Sequence, residues 1–232
     1  MSRTPSISSA ALCQAYYLDV IEYSEALRLQ ERLVNARIAG DIPDTILFLQ
    51  HPPVITMGTS ATEKNIIGPR DALKNEGVAI IYTDRGGDIT VHEPGQLVCY
   101  PVLKLKEKER DLHLYVRNLE EVVIRTLREF SITAHRESNY PGVWAGEEKI
   151  CAIGIRVSKW VTKHGFALNV NNDLKYFSYV YPCGITDKRV TSMSRLLGHK
   201  LNMENVMLRI IENCSQVFCS DIKLKPTEYL RR

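Results

Sequence analysis

The sequence has no apolar run long enough to span a bilayer, where a helix needs about 20 such residues. It has no C-x-x-C pair and no Cys/His grouping at zinc-finger spacing, although it carries 6 cysteines, Cys13, Cys99, Cys151, Cys183, Cys214 and Cys219. It has no internal repeat, low-complexity tract or Pro/Gly/Ser-rich linker. It also has little charge excess. The 30 Lys and Arg against 27 Asp and Glu leave +3, too little to argue for nucleic acid as a partner. The first residues carry only a short, interrupted apolar stretch after one Arg, a poor signal peptide. Membrane span, zinc finger and nucleic-acid module are set aside, and the thiols are expected reduced, in the cytoplasm.

The 232 residues, 44% apolar and 25% charged, are expected to form one domain over 1–232. Its core is large enough to need neither metal nor disulfide. Leu29, Leu33 and Ala36 recur near helical spacing up to Gly40. "TILFLQ" reads as a buried strand stopped by His51-Pro52-Pro53, followed by a strand at "VITMG", a short helix at "PRDALKNEG" and a strand at "VAIIYTD". A Gly-rich loop, "RGGDITVHEPGQ", leads to the strand "LVCYPVL". A long helix follows, with Asp111 as N-cap and a stripe at Tyr115, Leu119, Val122, Val123 and Leu127. "GVWAGEEKICAIGIRVSKWVTKHGFALNV" reads as a β meander turning at Gly146–Glu148 and at Trp160–His164. "NMENVMLRIIENCSQVFCS" closes the chain as an amphipathic helix. The expected fold is α+β, a mixed, largely antiparallel sheet flanked by helices.

Four stretches could carry chemistry. In "RGGDITVHEPGQ", two glycines would let backbone approach a ligand between Arg85 and His92. It matches no phosphate-binding pattern, and a hairpin loop with a surface His is the competing reading. In "EKICAIGIRVSKW", period 2 aligns Lys149 with Cys151, Ile153, Ile155 and Val157, which suggests a partly desolvated amine. The competing reading is a strand-end lysine whose tip stays in water. Ala152 and Gly154 leave space on the other face, for a ligand or for a helix. In "KHGFALNV", Gly165 and Ala167 flank Phe166, and His164 alone is more often structural. In "YPCGI", Pro182 and Gly184 place Cys183 in a tight turn, either as nucleophile or as small apolar filler. Cys99, Cys151, Cys214 and Cys219 read as core, and Cys13 as peripheral.

Taken in order, these stretches resemble the octanoyltransferases of lipoate biosynthesis. R-G-G-x-x-T-x-H-x-P-G-Q falls on Arg85–Gln96, with Y-P at Tyr100-Pro101. G-V-W falls on Gly142–Trp144, K-I-x-A-I-G on Lys149–Gly154, H-G-x-A-L-N on His164–Asn169 and P-C-G-I on Pro182–Ile185. The resemblance runs from about His51 to Leu197, and the ordered set is far more specific than any one motif. Two positions depart from the pattern: Val91 stands where the family has Tyr, and Glu93 where it has Gly. The resemblance implies the catalytic fold of biotin and lipoate protein ligases, with helices outside a mixed sheet. It implies transfer of an octanoyl group from octanoyl-acyl carrier protein to a lysine of lipoyl domains. Those domains would belong to 2-oxoacid dehydrogenase complexes and the glycine cleavage H protein. The enzyme would be monomeric and need no cofactor or metal.

The resemblance further places the acyl-thioester cysteine on Cys183 and the lysine that lowers its pKa on Lys149. The substrate-binding stretches fall on Arg85, Gly86, Gly87, Asp88, Ile89, Thr90, Val91 and His92, on Ala152, Ile153 and Gly154, and on Gly165, Phe166 and Ala167. An activated thioester donor needs no ATP, and a thiolate exchanging with it splits the transfer in two. The alternatives are an ATP-dependent lipoate-protein ligase, which needs no nucleophilic cysteine, and a non-catalytic module binding lipoyl domains or acyl carriers.

Overall fold

The computed structural model describes residues 11–138, 140–181 and 189–231, with backbone alone at residues 11 and 231. In chain order the elements are β1 Ala11–Val20, α1 Tyr23–Ala39, β2 Asp44–Gln50, β3 Val54–Met57, α2 Arg70–Asn75, β4 Ala79–Tyr82, β5 Ile89–His92 and β6 Gln96–Val102. Then come α3 Leu112–Glu129, β7 His135–Arg136, β8 Val143–Ala145, β9 Glu148–Ser158, β10 Val161–Asn169, β11 Arg189–Val190, α4 Met193–Leu197, α5 Met203–Val217 and β12 Ser220–Leu224.

The large sheet runs β12-β1-β2-β6-β10-β9-β8-β7, and β11 adds to β9. β1 is parallel to β12 and β2, and β11 is parallel to β9; the other pairs are antiparallel. A small sheet, β4-β3-β5, stands apart. This is the mixed, largely antiparallel α+β fold read from the sequence.

β2 reads as an unbroken apolar run because helices cover both of its faces. Ile46 and Phe48 enter the core under α3 and α5, whereas Leu47 and Leu49 enter a second core under α1. β6 divides likewise, with Leu97 and Cys99 on one side and Val98 and Tyr100 on the other. α1 ends at Gly40, whose φ of +90° is the left-handed cap that glycine tolerates. α3 starts where expected: Asp111 Oδ1 accepts from the N–H groups of His113 at 2.9 Å and Leu114 at 3.1 Å. Its stripe from Tyr115 to Leu127 is buried against α5 and the sheet.

Several expectations give way. The second meander turn is Lys159-Trp160, both at positive φ, so His164 lies inside β10 opposite Ile155. The stretch 89–92 is not loop but a strand, β5, with all four residues buried. Its residues alternate apolar and polar, Ile89-Thr90-Val91-His92, yet both faces are covered. Cys13 is core, because β1 sits inside the sheet between β2 and β12. Cys219 is exposed, in the turn between α5 and β12.

Candidate active site

A cleft between the small sheet and the β9–β10 hairpin gathers most of the residues singled out above. It encloses about 740 Å³ of empty space, open solvent at its mouth included. One wall is the hairpin, where Ala152, Ile153 and Gly154 pair with Ala167, Phe166 and Gly165. Its glycines answer to backbone first. A Cβ on Gly165 would lie 2.2 Å from the Cys99 carbonyl oxygen, and one on Gly154 2.9 Å from that of Gly86.

The facing wall is Arg85, Gly87, Asp88, Ile89, Thr90 and His92. Gly86 and Val91 do not line the cleft. Gly86 docks the loop on β9, donating its N–H to Ile155 O at 2.9 Å. Val91 is fully buried and pairs with Ile55 in the small sheet. The Arg85 guanidinium braces the loop on β3: Nη2 donates to Thr56 O at 2.6 Å and Nε to Thr56 Oγ1 at 3.2 Å. Asp84 ties the same loop to β10, its Oδ1 lying 2.9 Å from Lys163 Nζ and 2.8 Å from His164 Nε2.

Lys149 also lines the cleft, and it is not a solvated strand-end lysine: only 7% of it is exposed. Nor does it share the face of Cys151. Trp144 pairs with Lys149 but Val143 with Cys151, so Ile150 is the extra residue of a β-bulge. The bulge breaks strict alternation and turns Lys149 toward the side of Ala152 and Gly154, while Ile150 and Cys151 both enter the core. Nζ donates to Pro141 O at 3.1 Å and lies 5.0 Å from the Trp144 ring centre. Below the bulge β11 replaces β10 as neighbour, with Val190 opposite Lys149, so the lysine's backbone is held from both sides. Cys183 lies outside the described residues.

The floor is a buried polar network. His51 Nδ1 donates to Ile21 O at 2.7 Å and Nε2 accepts from the Tyr100 hydroxyl at 2.9 Å, which requires a neutral ring. Burial pushes its pKa down to about 4. Burial likewise takes His92 well below its ordinary value and His164 down to about 4. Gln96 Nε2 donates to Val91 O at 3.1 Å and Asn169 Oδ1 at 2.9 Å, so its Oε1 faces His92 Nδ1 at 2.8 Å. That proton stays on Nδ1 and leaves Nε2 as the acceptor. Asn172 bridges Asn169 to Glu93, whose Oε1 also accepts from Leu174 N at 3.0 Å. Glu93 thus joins the β5–β6 turn to the 3-10 turn Lys175–Tyr179, which carries Phe177 into the cleft.

Tyr23, Phe177 and Val190 come from distant elements and carry no local sequence signal for the site. Gln96, Tyr100 and Asn169 lie inside the motifs, where the pattern alone gives them no task, and His164 on its own suggests a structural role. All seven line the cleft.

Burial raises the thiols of Cys99 and Cys151 and takes Cys214 up to about 12, so none is a thiolate at neutral pH. Among the described residues no His/Cys/Asp/Glu group could hold a metal, and no helix is long and apolar enough to cross a membrane.

Comparison with known proteins shows the fold and the family. Solved structures share the fold. A putative lipoate protein ligase from T. acidophilum with bound lipoic acid superposes with a TM-score of 0.73 at 18% identity, covering 94% of this chain and 92% of that one. Biotin protein ligase from Aquifex aeolicus, with biotin and ATP, gives 0.53 at 19% identity over 89% and 70%. Among curated proteins, an octanoyltransferase of Caldicellulosiruptor saccharolyticus is 48% identical over 204 residues, 87% of each chain. One of Alkaliphilus metalliredigens is 46% identical over 202 residues, 87% of this chain and 93% of that one. Residues 22–215 match the model of the lipoyl protein ligase A/B catalytic domain. The chain therefore belongs to the lipoyl protein ligase A/B catalytic-domain family and, within it, to the octanoyltransferases.

Proposed function

We propose that the chain moves an octanoyl group from octanoyl-acyl carrier protein, through a thioester on Cys183, to a lysine of lipoyl domains such as those of 2-oxoacid dehydrogenases and the glycine cleavage H protein. The supporting observation is Lys149: a buried amine on the wall of a largely apolar cleft, positioned by a bulge, beside the hairpin's small residues. The Cys183 thiolate attacks the donor's thioester carbon, the carrier's thiol leaves and takes a proton, and the acyl group rests on sulfur. The acceptor lysine, as free amine, then attacks that carbon; the amide forms, the nitrogen gives up a proton to water or to a base in the cleft, and Cys183 leaves as thiolate. Lys149 favours the thiolate as a cation, or takes its proton as a base. Arg85, Gly86, Gly87, Asp88, Ile89, Thr90, Val91 and His92 form and support the outer wall, while Ala152, Ile153, Gly154, Gly165, Phe166 and Ala167 form the inner one. At about 0.8 kcal/mol per methylene, burying the octanoyl tail supplies roughly 5 kcal/mol. We place the reaction in a reducing cytoplasm, on a monomer.

The test is incubation with octanoyl-acyl carrier protein and a lipoyl domain, without ATP. The lipoyl domain should gain one octanoyl mass; without acceptor, the enzyme should gain it on the peptide of Cys183, and Cys183→Ala should abolish transfer. A strict need for ATP would identify a ligase instead. Label on Cys99 or Cys151 would remove Cys183 from the scheme, and no transfer under either condition would leave a binding module.

A further inference from the structure

α3 buries one charged residue, Glu120, in the middle of its apolar stripe between Leu119 and Val123. A buried carboxylate is expensive unless it is paired and hydrogen-bonded. Here its two oxygens have different partners. Oε2 meets Arg117 Nη1 at 3.1 Å and Arg136 Nε at 3.2 Å, both arginines reaching in from the surface. Oε1 accepts from the N–H of Gly142 at 3.1 Å.

That N–H belongs to the peptide unit whose carbonyl, Pro141 O, accepts from Lys149 Nζ at 3.1 Å. The C=O and N–H of a trans peptide point in opposite directions. Carboxylate, peptide dipole and amine therefore stand in series, each charge at the end of the dipole that favours it. Gly142 makes the arrangement possible. It sits at φ +127°, and a Cβ there would lie 2.5 Å from Cys151 O and 3.3 Å from Lys149 Cε. The glycine lets the chain close over the lysine stem while Trp144, two residues on, lays its ring beside Nζ.

We propose that Glu120 is a positioning residue for Lys149, acting through the Pro141–Gly142 peptide. Its carboxylate fixes the carbonyl that holds Nζ on the cleft wall and, by polarising that peptide, strengthens the carbonyl as an acceptor. The consequence for transfer rests on the reading of Lys149 as the partner of Cys183; the consequence for Lys149 itself does not.

The experiment uses the full chain and three variants, Glu120→Ala, Glu120→Gln and Lys149→Ala. It reads hydrogen exchange at the Gly142 amide and at the ¹⁵N-labelled Lys149 ammonium, and the rate of Cys183 alkylation by iodoacetamide at neutral pH. Loss of a charge-assisted hydrogen bond should speed both exchange rates about tenfold or more in Glu120→Ala. Glu120→Gln keeps an acceptor oxygen without the charge and should fall between that variant and the parent. Alkylation in Glu120→Ala should slow toward the rate of Lys149→Ala. Unchanged exchange at both sites overturns the proposal. If Glu120→Ala does not fold, Glu120→Gln decides alone, and parent-like exchange in it overturns the proposal too. If exchange responds but Lys149→Ala leaves alkylation unaltered, Glu120 still positions Lys149, and it is the pairing of Lys149 with Cys183 that fails.

Discussion

The two walls of the cleft are held by different forces. The inner wall, β9–β10, is fixed by backbone: a ladder from Val161↔Ser158 to Leu168↔Cys151, and glycines that let neighbouring strands approach. The outer wall, residues 85–92, has a short ladder of its own, β5 on β3, but is tied to its surroundings by polar side chains as well: Arg85 on Thr56, the exposed Asp84 on Lys163 and His164, Gln96 on His92, and Glu93 on Asn172 and Leu174. A ladder yields only when the sheet parts, and it carries no titrating group. A wall of polar side chains can be loosened one bond at a time and responds to pH. Substitutions in the inner wall should therefore threaten the fold, whereas those in the outer wall should alter the substrate constants.

Gly165→Ala should have the largest effect. The added Cβ meets Cys99 O at 2.2 Å and Pro101 Cδ at 2.6 Å, so β6 and β10 must separate. Overpacking against backbone is expected to cost about 3 kcal/mol. At 2–4 °C for each kcal/mol in a chain of this size, the melting temperature should fall on the order of 10 °C. A melt like the parent's would mean the inner wall is not held by close backbone approach.

Arg85→Lys tests the outer wall. Lysine keeps the charge but lacks the planar fork that engages Thr56 and Gly86 together. With about 1.5–3 kcal/mol at stake in a charged hydrogen bond, KM for octanoyl-acyl carrier protein should rise about tenfold. The melting temperature should change far less than in Gly165→Ala. A collapse in stability with KM unchanged would erase the contrast between the walls.

Ala152→Val returns to the inner wall at a position where space, not backbone, is the constraint. Gly154 is the poorer probe, because a side chain there strikes the Gly86 carbonyl and the Arg85 stem before it fills the cleft. Displacing one methylene of the tail is worth about 0.8 kcal/mol, so preference should move from octanoyl toward hexanoyl donors about fourfold. Competition between the two donors measures it; an unchanged ratio places the tail elsewhere.

The same division decided what the sequence revealed. The inner wall was legible, since the β9–β10 meander and its small residues announce themselves through turns and period 2. Two things escaped there, the bulge at Ile150 and the tight turn at Lys159-Trp160, because an extra residue shifts every face assignment beyond it. The outer wall was legible as a motif but not as a structure. β5 alternates over only four residues inside a Gly-rich run, too short a stretch to stand out from loop, and its partner β3 precedes it by some thirty residues. The residues completing the cleft, Tyr23, Phe177 and Val190, arrive only through tertiary contacts. Glu93 looked like a departure from pattern; its meaning depends on Asn172 and Leu174, about eighty residues away.

Glu93 also supplies the smallest and most diagnostic effect. Burial raises its carboxyl above the ordinary value, and the negative charge of Asp173 adds to the rise; the donors Asn172, Leu174 N and Tyr176 N oppose it. With the folded value above the unfolded one, the stability this group contributes is fully present below the unfolded pKa of about 4.3. It is lost as pH rises through the folded value, because the unfolded chain gives up the proton more easily. Glu93→Gln retains an acceptor oxygen for Asn172 and Leu174 but does not titrate. Relative to this variant, the parent should lose stability as pH climbs from about 4 to 7. Asp173→Asn should shrink that loss by removing the neighbouring charge. The stability deficit of Gly165→Ala should stay level over the same range, since no ionisable group enters it. Melts at several pH values decide: a flat or inverted difference between parent and Glu93→Gln would show that the outer wall is not held by a desolvated carboxylate, and that its contrast with the inner wall lies elsewhere.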